Sequence, residues 1–196
     1  MSILRRFAIS AAMLIAFCAP GSAATRTFTV DAAASSVAFT LGDVLHTVRG
    51  TFQLKSGAIT FDDATGHASG EMVVEAASGE SGSKARDRKM KREILETDRF
   101  PEIILKVSRI EGTVSISGKS SVQLTGTMSL HGGDHAITVT VPVSVAGLTA
   151  TADVAFPVPY VKWGLKNPST LFLRVSDTVS IVVHAVGRIS TAPPVQ

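Results

Sequence analysis

From Thr25 onward the hydrophobic residues of this chain recur at every second position. Val37, Phe39 and Leu41, then Val48, Gly50, Phe52 and Leu54, then Val114 and Ile116, then Ile137 through Val145 alternate with polar or small residues. A period of two sends successive side chains to opposite faces of an extended backbone, so these runs predict half-buried antiparallel strands. Turn-forming residues punctuate them at Ser56-Gly57, Asp63–Gly66, Glu111-Gly112, Gly118-Lys119, Gly132-Gly133-Asp134, Ala146-Gly147 and Asn167-Pro168. Many consecutive hairpins follow. A sheet built that way leaves exposed edges unless it closes on itself or splits into a sandwich, and the pattern alone leaves that choice open.

One stretch breaks the rhythm. Ser83–Glu96 has no alternation, is rich in helix formers, and places Met90, Ile94 and Leu95 on one side, with six basic and three acidic residues around them. The spacing predicts a short helix, capped by Ser81 or Ser83 and ending before Phe100-Pro101. Across one end of a barrel, such a helix would turn its apolar side inward and its charges to water.

The first 24 residues read as a cleaved secretory signal. Arg5-Arg6 precede the eleven-residue apolar run Phe7–Phe17, and small residues follow through Ala23 and Ala24. The run is short of the roughly 20 residues that span a bilayer. The bulky Phe17 before Cys18 argues against a lipoprotein box, so Cys18, the sole cysteine, is expected to leave with the signal. The mature chain would then have no thiol chemistry and no disulfide, which about 170 residues can tolerate through burial alone. Residues 25–190 are expected to form one domain, and residues 191–196 a frayed tail containing Pro193-Pro194.

Charge excludes one class of partner. Against 16 Asp and Glu stand 19 Lys and Arg, and Arg5 and Arg6 belong to the signal, so the mature chain is nearly neutral. Its aromatic residues sit in apolar runs rather than among Arg and Lys. Nucleic-acid binding is not expected.

Two local motifs could hide chemistry. His131-Gly132-Gly133-Asp134-His135 has a zincin-like His spacing, but it lacks the Glu, and two glycines oppose a helix. A hairpin turn flanked by histidines fits better than a site using His131, Asp134 and His135. Gly79–Lys84 matches neither a phosphate loop nor a nucleophile elbow, and reads as a loop entering the helix. No sequence-local catalytic triad, carboxylate pair or dinucleotide fingerprint is present. The chain is expected not to be an enzyme and to need no cofactor.

Read in order, Phe28-Thr-Val-Asp31, Ser36-Val-Ala-Phe39, Val48-Arg-Gly50-Thr-Phe52, Phe61-Asp62, Arg86-Asp87 leading to Phe100-Pro101, and Met128-Ser-Leu-His131-Gly132 form a recognisable succession. It resembles the YceI-like family of exported lipid-binding proteins over roughly residues 27–188. The resemblance implies an all-β fold: an extended eight-stranded antiparallel barrel of lipocalin type with a short helix near its mouth. It also implies a ligand, a long isoprenoid lipid such as a polyprenyl chain, a quinone or a quinone precursor. Family members usually carry Arg-Asp-x-His-Leu in the helix, whereas this chain has Arg86-Asp87-Arg88-Lys89-Met90, which replaces a titratable group by a permanent cation near neutral pH.

An eight-stranded barrel can be filled by its own side chains or hold one small ligand. The leading expectation is a periplasmic, non-catalytic carrier or store for an isoprenoid lipid. The alternative is an envelope-stress or partner-binding module whose barrel is self-filled. The ligand site is expected between barrel and helix, lined by Phe39, Phe52, Ile94, Leu95, Phe100, Trp163 and Phe172, with Arg86 and Lys89 facing a headgroup. A membrane protein that donates or accepts the cargo, and a homodimer, are both compatible with this reading.

Overall fold

Among the described residues, nine strand segments occupy eight places in a closed antiparallel ring. The computed structural model describes residues 25–42, 47–170 and 174–191; residues 1–24, expected from sequence to be an export signal, Phe172 and residues 192–196 lie outside the described residues. In chain order the strands are β1 (Thr25–Val30), β2 (Ser36–Gly42), β3 (Thr47–Asp62), β4 (Ala68–Glu80), β5 (Glu102–Glu111), β6 (Gly118–Leu130), β7 (Gly133–Ala146), β8 (Thr149–Val158) and β9 (Val179–Thr191). The hydrogen-bonded order runs β1-β3-β2-β9-β8-β7-β6-β5-β4, and the β3–β4 and β1–β9 pairings close the ring. A barrel rather than a sandwich results, and closure pairs the strand edges that an open sheet would expose.

The first two strands share one place. Phe28 of β1 pairs with Ile59 and Ile189, and Phe39 of β2 pairs with Gly50 and Ile181, so both segments lie between β3 and β9. The break between them is local chemistry. The Asp31 carboxylate accepts the Ala33 and Ala34 N–H groups at 3.1 and 3.2 Å, and the Ser35 hydroxyl accepts the Val186 N–H at 2.9 Å. The side-chain oxygens replace ladder partners where the backbone leaves the sheet.

Three sequence expectations change in the fold. Ser56-Gly57 is not a turn but a bulge within the sixteen-residue β3, where the register against β4 shifts between Leu54 and Ser56. Val114 and Ile116 are not a strand. They belong to the β5–β6 loop, in which Val114 is 4% exposed and Ile116 84% exposed. Arg26 fixes that loop by donating to the Val114 carbonyl at 2.7 Å while ion-paired with Asp63, so the alternation there reflects docking of a loop and not strand pleat.

The third change concerns the helix. It comprises an α-helical turn, α1 (Lys84–Lys89), continued by a π-helical turn over Met90–Ile94. Ser83 holds the cap position without a side-chain cap bond. Ser81 does not cap the helix either: its N–H donates to the Asp87 carboxylate at 2.8 Å, and its hydroxyl bonds the same oxygen. The Leu95 N–H reaches back to the Met90 carbonyl at 2.8 Å, and this wider turn aligns Met90, Ile94 and Leu95.

The connections divide the barrel into two ends. The β3–β4 turn, the β5–β6 loop and the β7–β8 turn lie at one end; the helix, the β6–β7 hairpin and the β8–β9 loop lie at the other. Two apolar clusters follow this division. One, around Phe61, Ile110, Val114, Val141 and Ile189, packs the first end; the other, around Leu95, Met128, Leu130, Tyr160 and Leu165, packs beneath the helix.

The interior is hollow rather than self-filled. A single cavity of about 670 Å³ runs through both clusters. No large side chain among the described residues falls below 2% exposure, because the core residues keep a face on the lumen. Gly50 lets neighbours approach closely at this wall: a Cβ there would collide with the Phe39 ring and with the Glu80 carbonyl oxygen.

Candidate ligand-binding cavity

Each strand contributes its inward parity to the cavity wall. On β9 these are Val179, Ile181, Val183 and Ala185, and on β8 Val154, Phe156 and Val158. The same alternation that predicts strands therefore also selects the lining, once the inward phase is known. Towards the floor the wall becomes small: Ala150, Ala152 and Ala185 sit on adjacent strands, with Ala152 paired to both Val143 and Ala185. At the floor, Arg26 is 8% exposed, ion-paired with Asp63, and 5.7 Å from the Phe61 ring centroid.

Among the described residues that line the cavity only Arg86 and Lys89 are charged, and both stand at the opposite end, exposed on the helix. Their situations differ. Arg86 donates through Nε to the Ser81 hydroxyl at 2.7 Å and through Nη2 to the Ser81 carbonyl at 2.6 Å, closing a Ser81–Arg86–Asp87 knot that ties the end of β4 to the helix. Lys89 has no such partner among the described residues. It is the freer cation at the mouth, and Arg86 shapes the rim.

The predicted site residues separate into groups. Phe39, Phe52, Arg86, Lys89, Ile94 and Leu95 all line the one cavity, with the Phe39 and Phe52 rings 5.3 Å apart. Phe100 and Trp163 do not line it. Phe100 packs on the His131 ring at 4.7 Å, and Trp163 stacks on His135 at 4.2 Å with the rings parallel to within 1°. Both aromatics are held to the rim by the β6–β7 hairpin, whose histidines point at different rings. Among the described residues, no group of three or more His, Cys, Asp and Glu is placed to hold a metal ion.

Two further contacts brace the mouth. Glu96 (φ 47°) ends the π turn and His131 (φ 53°) makes the β6–β7 turn; these are the only non-glycine residues with positive φ among the described residues. They face each other, with His131 Nε2 3.4 Å from Glu96 Oε1. The Arg99 guanidinium, bonding Glu96 Oε2 at 2.8 Å, is the main cause that holds this carboxyl below its ordinary pKa, with His131 adding to the effect. In the β8–β9 loop, Tyr160 donates its hydroxyl to the Ser176 carbonyl at 2.7 Å, and burial, helped by the Asp177 carboxylate, pushes its pKa up to about 12.

Reasoning from sequence alone missed Met90, Tyr160 and Leu165 as lining residues. The signal for Met90 was present, on the same helical side as Ile94. Tyr160 and Leu165 lie in an irregular loop, where no period marks the inward side.

A YceI-like domain matches residues 28–187. The chain belongs to the YceI-like family. Solved structures share the fold of this YceI-like protein. BcnA of Burkholderia cenocepacia is 22% identical with a TM-score of 0.66, covering 80% of this chain and 98% of that one. A polyisoprenoid-binding domain from Saccharophagus degradans, implicated in plant cell wall breakdown, is 14% identical with a TM-score of 0.63, covering 83% and 98%. The Campylobacter jejuni YceI protein is 14% identical with a TM-score of 0.55, covering 76% and 87%. No curated protein matches the sequence.

Proposed function

We propose that this YceI-like protein binds a long apolar isoprenoid lipid, a polyprenyl chain, a quinone or a precursor, inside the barrel, as a non-catalytic carrier or store. One observation carries the reading: a cavity of about 670 Å³ whose wall is almost wholly apolar and whose charged lining residues, among those described, stand at the mouth. An extended lipid with one polar end matches that distribution. The polyisoprenoid-binding domain from Saccharophagus degradans, similar in fold, supports the same ligand class.

Magnitudes assign the roles. Burying ten methylene equivalents at about 0.8 kcal/mol each gives about 8 kcal/mol before ordering costs, roughly a micromolar affinity. An exposed ion pair adds about 1 kcal/mol or less. The wall sets affinity, and Lys89 with Arg86 sets orientation.

The work is proposed to take place outside the cytoplasm, in the periplasm, after removal of residues 1–24. The Arg5-Arg6, Phe7–Phe17 and Gly21–Ala24 pattern supports export. Organic extraction of the purified protein followed by mass spectrometry tests the ligand. A prenyl lipid recovered in stoichiometric amount is the expected result. Protein that carries no lipid, and that binds none of a series of added prenyl alcohols and quinones, would overturn the proposal.

A further inference from the structure

The barrel's connections divide its charge unevenly. Residues 81–101 and 159–178, which border the mouth, contain ten Lys and Arg against five Asp and Glu among the described residues. The connections at the floor, residues 63–67, 112–117 and 147–148, contain no Lys or Arg at all. A chain that is nearly neutral after residue 24 is therefore cationic at its open end.

Much of that positive charge is not spent internally. Arg86 and Lys89 face the cavity, but Lys84, Arg88 and Arg92 are exposed on the rest of the helix surface, with no ion pair among the described residues. Lys84, Arg88 and the half-buried Lys91 border one shallow surface depression beside Glu80 and Asp87. Lys162, Lys166 and Arg174 are exposed on the β8–β9 loop, whose Tyr160 and Leu165 pack in the same cluster as Leu95. Three of the five mouth acids are already engaged: Asp87 by Ser81, Glu96 by Arg99, and Asp177 by Asn167.

Protein interfaces are built around a desolvated apolar centre. Among the described residues, the exposed large hydrophobics are Ile116, Leu148 and Val182, in the β5–β6 loop, the β7–β8 turn and β9, away from the helix. A broad face of long cations complements a diffuse anionic surface, where charge alone gives adhesion.

We infer that the mouth end docks on the surface of an anionic lipid bilayer, through Lys84, Arg88 and Arg92 of the helix together with the lysines of the β8–β9 loop. Docked this way, the end of the cavity lined by Ala85, Lys89 and Pro168 faces the membrane, and an apolar cargo can enter without crossing bulk water. The surface stands on the charge distribution, and only its purpose rests on the lipid-cargo reading.

Cosedimentation of the purified protein with vesicles tests it, comparing phosphatidylcholine mixed with phosphatidylglycerol against phosphatidylcholine alone. Binding to the mixed vesicles only, weakening as salt shortens the screening length, is expected. Each cation near such a surface is worth about fivefold in partitioning, so Lys84→Gln/Arg88→Gln/Arg92→Gln should bind about a hundredfold more weakly. The matched variant Lys106→Gln/Lys119→Gln/Arg188→Gln, altered at exposed barrel positions away from the mouth, should lose far less. Absence of vesicle binding, equal binding to both vesicle types, or equal losses in the two variants would overturn the inference, the first pointing to a protein donor instead. Lipid extracted from the helix variant reports on cargo separately: unchanged cargo with lost vesicle binding is the expected pair. An empty barrel that still docks would sink only the cargo reading.

Discussion

Replacing Ala152 by Phe distinguishes a hollow barrel from a filled one without any ligand. Ala152 lines the lumen between Val143 and Ala185, with Ala150 two residues away on the same side of β8, so small side chains surround the position where it packs against the floor cluster. In a packed core the added ring would force its surroundings apart at a cost of about 1–3 kcal/mol. In a hollow one it buries its own surface, a gain of about 1.5–3 kcal/mol at full burial. The sign of the change is therefore the measurement. For a domain of this size 1 kcal/mol moves Tm by about 2–4 °C, so lipid-free Ala152→Phe should melt at least about 2 °C above the parent. The same ring displaces about six methylene equivalents of cargo, about 5 kcal/mol, so long prenyl alcohols should bind weakly while short ones keep their affinity. A calorimetric scan of delipidated protein and a competition series with prenyl alcohols read both effects. A fall in stability by more than about 1 kcal/mol would show that side chains already fill the lumen, and equal binding of long and short chains would show that cargo does not reach Ala152.

Ile94→Asn, a half-buried position beneath the helix, should lower lipid retention with little change in Tm; retention equal to the parent would place the cargo away from the helix. Leu95 is a poorer probe, since at 8% exposure it is part of the packed cluster and its truncation should cost about 2–3 kcal/mol. The chain has one tyrosine, so the near-ultraviolet tyrosinate band should titrate near 12 in the folded protein and near 10 once unfolded. A raised pKa stabilises the fold below the unfolded value, and this contribution is lost as pH rises through the folded value. Glu96 has the opposite sign: its lowered pKa stabilises above the ordinary carboxylate range and is lost as pH falls through the folded value, so Glu96→Gln should lose less stability on acidification than the parent. Mass analysis of exported protein should give a mature start at Ala24 or Thr25, and an intact Met1 would refute cleavage.

Much of this was written in the sequence. Alternation at Val37–Leu41 and Ile137–Val145 specified strands and their buried face, since the two faces of a strand differ by a single residue step. The break at Ser83–Glu96 located the helix, and the order of motifs located the family. These features depend on near neighbours, which a single chain displays.

Tertiary structure decided the rest. Alternation cannot count places in a ring, so the sharing of one place by β1 and β2 depended on contacts with β3 and β9 more than a hundred residues apart. Val114 and Ile116 imitate a strand because Arg26, distant in sequence, pins their loop. Phe100 and Trp163 looked like lining because they are large and apolar near the helix, yet the β6–β7 hairpin offers each a histidine ring outside the cavity. The lumen itself is a property of the closed ring. The seat of the Phe39 ring in the wall depends on the missing Cβ of Gly50 across the ladder, and only the register brings the two together.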